Sequence, residues 1–194
     1  MDRQKRLSYI EDMGQRRLGF LISAIFLGAL IAFAQETPRP KDVRNLGKQG
    51  SSALPRLQEL LRNEDLDIRI EAVKAITEVG TPGSLAPLIQ ATADNDPEVQ
   101  IRATDGLVNF YLPGYVQKGL GASLKRVGTS IKSKFTDTND QVIDAFVVPR
   151  PDVIQALGAL VRGGASMEAR ANAARALGIV RGKAAVPDLL AALR

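Results

Sequence analysis

The property that most constrains this chain is an internal match. Segments thirty-one residues apart agree apolar for apolar and small for small. Leu54-Pro55-Arg56-Leu57 is followed at that offset by Leu85-Ala86-Pro87-Leu88, and Asp65, Ile68, Ile70, Ala72 and Ile76 map onto Asp96, Val99, Ile101, Ala103 and Leu107. The register returns later. Ala169-Arg170 aligns on Ile68-Arg69, Ala173 on Ala72, Ala176 on Ala75 and Leu177 on Ile76, and Val186-Pro187-Asp188-Leu189 restates the opening of the unit. A fixed period of this length marks stacked supersecondary units, each too small to bury its own apolar surface. About three and a half units are present.

Each unit reads as two helices. In the first unit, Leu54, Leu57 and Leu61 fall at i, i+3, i+7, which predicts a helix over Ala53–Leu61 with one apolar face. Pro55 lies in its first turn, where a missing N–H costs nothing. Asn63-Glu64-Asp65 makes the turn, and Ile68, Ala72, Ala75, Ile76 and Val79 predict a second helix over Leu66–Val79, closed by Gly80. In the second unit, Asp94-Asn95-Asp96-Pro97 repeats the turn, with Asp96 as N-cap and Pro97 at the first helical position.

The run Asp-x-x-Ile-Arg-x-x-Ala-x-x-Ala-Ile at Asp65–Ile76, with weaker copies at Asp96–Leu107 and Ser166–Leu177, resembles the HEAT-repeat family. The likeness is to the short bacterial units also found in bilin lyases, and it covers residues 50–113 and 150–194. It implies an all-α fold, a right-handed α-solenoid of antiparallel helix pairs with one helical insertion and a concave interaction surface. It also implies a ladder of Asp and Arg between adjacent units; Asp65, Arg69 and Arg170 are expected to make caps and inter-repeat hydrogen bonds, with ligand contact the competing reading. The second copy departs from the pattern with Gln100 in place of the Arg and Gly106 in place of the second Ala, so the ladder is expected to break at Gln100.

The insertion, Pro113–Pro149, has no counterpart in the repeat. Val116, Leu120, Leu124, Val127, Ile131 and Phe135 follow helical spacing, interleaved with Lys118, Lys125, Arg126, Lys132 and Lys134, while Gly119, Gly121 and Gly128 weaken the pattern. A polar turn at Thr136–Asp140 and an apolar run at Val142–Val148 follow. Insertions in solenoids often emerge on a binding face. The basic residues, with Tyr111 and Tyr115, are therefore the candidate partner-binding set; the competing reading is an elaborated repeat whose cations face water. Phe110, Tyr111 and Tyr115, with Phe135 and Phe146, are expected to plug the core where the insertion joins. Asp137, Asp140 and Asp144 lack the spacing of a calcium loop and read as turn residues.

Composition narrows the chemistry. The chain has no Cys, no His and no Trp, which removes thiolate nucleophiles, Ser-His-Asp triads and the usual zinc ligands. The glycines form no phosphate-cradling pattern. A net charge of +5 over 194 residues is too dilute for a nucleic-acid partner. No cofactor and no catalysis are expected.

Leu18–Phe33 is an uncharged apolar run preceded by Arg16-Arg17 and followed by the small-x-small pattern Ala32-Phe33-Ala34. That is the layout of a secretory signal over residues 1–34, with Met13 an alternative start. An uncleaved inner-membrane anchor through residues 18–33 and a buried core helix are the competing readings, and the run is short for a span. Residues 35–49 read as a polar linker before the repeats at 50–194. The segment Val186–Arg194, with Leu189, Leu190 and Leu193, reads as the first helix of a further unit.

These features together predict an exported, periplasmic or secreted scaffold that binds another protein. The alternatives are a module that binds an anionic membrane surface through the basic insertion, and a bilin-lyase-like enzyme. Export and the missing His and Cys argue against the enzyme. N-terminal sequencing of the exported product is expected to begin at Gln35; a product that retains Leu18–Phe33 would identify the anchor instead.

Overall fold

The computed structural model describes residues 38–116 and 142–194. Eight α-helices fall within them: α1 Pro40–Gly47, α2 Leu54–Leu60, α3 Leu66–Val79, α4 Leu85–Ala91, α5 Pro97–Tyr111, α6 Pro151–Gly163, α7 Met167–Ile179 and α8 Val186–Ala192. Short 3₁₀ turns at Gly50–Ala53, Pro82–Ser84 and Lys183–Ala185 lead into α2, α4 and α8. No strand occurs among the described residues.

The helix ends follow local chemistry. The Asp65 carboxylate accepts from the Asp67 N–H at 2.9 Å and starts α3. Asp96 accepts from the Glu98 and Val99 N–H groups and starts α5. Ser166 accepts from Ala169 N–H at 3.1 Å and starts α7. Each cap satisfies donors that the first helical turn leaves without a partner. Gly80 ends α3 at φ +60°, a left-handed geometry that costs glycine little.

The helices form the two layers of an α-solenoid. The second helices stack as α1, α3, α5 and α7, and the first helices α2, α4, α6 and α8 cover them. Leu57, Ile68, Ile76, Leu85, Leu88, Leu107, Leu157 and Leu177 are fully buried between the layers. The alanines of the repeat, Ala72, Ala103 and Ala173, are buried too and let neighbouring helices approach.

Two expectations change. The stretch 35–49, expected as a linker, contains α1: Val43 is 1% exposed, and Gly47 lies so close to α3 that a Cβ there would sit 2.8 Å from the Ala75 Cβ. This helix escapes a local reading because its apolar partner is on α3 rather than on its own pattern. Phe146, expected in the core, is 92% exposed; from the same run it is Ile143 that enters the core, its N–H donating to Ile179 O at 3.0 Å. Gly106, a departure from the repeat, has a steric reason. A Cβ at that position would overlap Thr77 Oγ1 on α3 and come within 3.1 Å of Leu88 Cδ2 on α4. The helical reading of the insertion beyond Val116 lies outside the described residues.

The glycines of α5 and α7 provide a controlled comparison. Gly106→Ala should destabilise the fold by about 1–3 kcal/mol, because overpacking outweighs the helix-propensity gain. Gly178 on α7 faces open space. Gly178→Ala should therefore raise stability by up to about 1 kcal/mol. Urea unfolding of the two variants checks both signs.

Candidate interaction face

Because α3, α5 and α7 start from equivalent caps, their polar residues fall in register as well as their apolar ones. Glu71, Arg102 and Asn172 occupy one row; Lys74, Asp105 and Arg175 occupy the next. These rows lie on the side of the second helices turned away from the first-helix layer, and most of their side chains are half-buried between neighbouring helices.

The rows are cross-linked. The Arg44 guanidinium on α1 donates to Glu71 at 3.3 Å, and Lys74 also pairs with Glu71. Arg102 pairs with Glu98 on its own helix at 2.5 Å. Asn172 on α7 donates to the Asp105 carboxylate at 3.1 Å and to Ile101 O at 3.4 Å, which ties α7 to α5. The Arg175 guanidinium sits 5.8 Å from the Tyr115 ring centroid, within cation–π range. Burial, reinforced by the Asp105 carboxylate and opposed by Arg175, pushes the Tyr115 hydroxyl above its ordinary pKa and keeps it neutral. Arg102 Nε and Arg175 Nε are buried without a hydrogen-bond partner. Few buried polar groups in folded proteins are left in that state.

A second set of polar contacts joins units along the turn edge. Arg69 donates from Nε and Nη2 to the two oxygens of Asp94, at 2.9 and 3.3 Å, and from Nη1 to Asn63 O and Glu64 O. This fork fits a carboxylate in two places at once. Gln100, where the ladder was expected to break, is 5% exposed and fully engaged: its Nε2 donates to Asp94 O at 2.6 Å and its Oε1 accepts from Ala165 N–H at 2.9 Å. The joint between the second and third units is thus kept, with a neutral bond in place of an ionic one. The reason lies at Gly164, the counterpart of Asp94. A Cβ there would sit 2.9 Å from Leu160 O, so no Asp fits and an Arg at position 100 would find no carboxylate. Arg170 stays within its own unit, donating to Val161 O at 3.2 Å.

Of the residues singled out as partner-binding, Tyr111 and Tyr115 are half-buried where the insertion leaves and rejoins the repeats. Tyr111 packs edge-on against Phe110, at 5.1 Å between centroids, and its hydroxyl accepts from Arg150 N–H at 3.0 Å. Lys118, Lys125, Arg126, Lys132 and Lys134 lie outside the described residues. The row Arg102, Asp105, Asn172 and Arg175 was missed. Extending the thirty-one-residue comparison from apolar to polar positions finds it. Among the described residues, no group of three or more Asp or Glu is placed to hold a metal ion, and no helix is long and apolar enough to cross a membrane.

Comparison with known families agrees with this architecture. Residues 39–108 match HEAT repeats, and residues 169–194 match the PBS lyase HEAT-like repeat. Both matches support the HEAT-repeat family for this chain, and the first begins at the residue that caps α1. No curated protein matches the chain.

Truncation should weaken both joints. Arg69→Met leaves the half-buried Asp94 carboxylate without its cation, holding only the Asp96 N–H, and should cost about 1.5–3 kcal/mol. Gln100→Ala strands one N–H and one carbonyl and should cost about 1–3 kcal/mol. Denaturant unfolding measures both.

Proposed function

We propose that this chain is an exported repeat scaffold that binds another protein through the outer face of its second helices and carries out no chemistry of its own. HEAT repeats generally mediate protein–protein interaction, and the chain has two family matches of that kind. The observation that carries the reading is the in-register ridge of Lys74, Arg102, Asp105, Asn172 and Arg175, with Glu71 buried at its base. It presents both signs of charge and hydrogen-bonding groups on a rigid layer, with the half-buried Ile70 and Ile101 beside them. Such a mixture suits a protein surface better than a small molecule, which would need an enclosing pocket. Export rests on the apolar run Leu18–Phe33 with its basic flank and small-residue site.

The full chain, tagged at its C-terminus and purified from the cell-envelope fraction, is expected to retain a defined protein. Ile70→Ser combined with Arg175→Ser should reduce that retention at least about tenfold, the loss expected when central contacts are truncated. Thermal unfolding of the double variant confirms that it still folds. A partner retained equally by the folded variant would overturn the assignment of the face.

A further inference from the structure

The turn that ends the insertion is built to hold bare apolar side chains in solvent. Phe146 is 92% exposed and Val148 84% exposed. Two neighbouring side chains of this size left in water are uncommon away from an interaction site. They are not on a loose strand. Val147 N–H donates to Asp144 O at 3.0 Å, and Phe146 N–H donates to the Asp144 carboxylate at 3.0 Å, which closes a tight turn with Phe146 near its apex. The turn is anchored on one side by Ile143, buried and bonded to Ile179 O. On the other side, Arg150 N–H is bonded to the Tyr111 hydroxyl.

The Ile143–Ile179 bond places this turn beside the C-terminal end of α7. There Arg181 and Lys183 are exposed and form no ion pair among the described residues. The carboxylates of the same edge are committed. Asp144 holds the turn, and Asp152 pairs with Arg150. The sequence that joins Val116 to Val142 holds five Lys or Arg against two Asp. Apolar projections on the edge that carries Arg181 and Lys183 match an anionic lipid surface, into which aromatic and aliphatic side chains insert while Lys and Arg meet the headgroups.

We propose that the Asp144–Val147 turn docks the repeat domain on an anionic membrane surface, with Phe146 and Val148 inserted at the headgroup level and Arg181 and Lys183 against the lipid charge. This contact uses none of the ridge residues.

The absence of Trp makes the test direct. Phe146→Trp in the full chain introduces the sole indole. Its emission is expected to shift to the blue, and its quenching by acrylamide to fall, on vesicles of phosphatidylcholine with phosphatidylserine. On phosphatidylcholine alone neither change is expected. The indole reports the turn itself, so attachment through residues 18–33 does not move it. Adding Arg181→Glu and Lys183→Glu should weaken the response at least about tenfold, since each cation near the surface contributes on the order of one kcal/mol. An indole that stays in water on both vesicles overturns the proposal. So does one that shifts equally on both and ignores the charge reversal, or one that becomes buried only against a protein.

Discussion

A helix of seven residues paired with one of fourteen cannot keep both of its apolar flanks from water, and everything else in this fold follows from that. Each second helix needs a second helix on either side. α3 obtains them from α1 and α5, and α5 from α3 and α7. The spacing of that stack is set by what the facing positions lack: no side chain at Gly47 where it meets Ala75, and none at Gly106 where it meets Thr77 and Leu88. Helices this close cannot tolerate an added methyl without displacement, so the small residues act as structural dimensions of the array.

The same closeness explains why the turn contacts differ between units. At the first joint, Asp94 is available and Arg69 grips it. At the second, the end of α6 folds so tightly on Leu160 that only glycine fits at 164, and the ionic partner is lost. Gln100 accepts from the neighbouring backbone N–H of Ala165 instead. A departure from the repeat at one position is therefore the complement of a departure at another. Both trace back to one steric limit.

Much of the fold is readable locally. The bounds of α3, the caps at Asp65 and Asp96, Pro97 and Gly80 all depend on residues within a few positions of one another, and their chemistry is visible in any single unit. What escapes such a reading depends on distant partners. α1 is a helix because Val43 and Gly47 pack on α3. Gln100 is satisfied by a residue sixty-five positions away. Phe146 looks like a core residue by type, yet Ile143 takes the interior place because its backbone pairs with the end of α7. Tyr111 and Tyr115 are half-buried at the break in the repeat, as a cluster of rings placed there suggests for a packing role. The polar ridge is just as periodic as the core, but charge is common on solvated helix faces and does not announce itself without the fold.

The contacts that bracket the insertion have a consequence for how such a chain changes over time. Tyr111 on α5 holds the Arg150 N–H and Ile179 on α7 holds the Ile143 N–H, so both fasten the returning segment to the repeat array on their own account. The units are therefore joined whatever lies between Val116 and Val142. Doubling the length of a connecting segment adds only about 0.6 kcal/mol of closure entropy. Selection can lengthen, recharge or replace that segment while the helical stack is inherited intact, so new specificities can be tried on this scaffold without risking its folding.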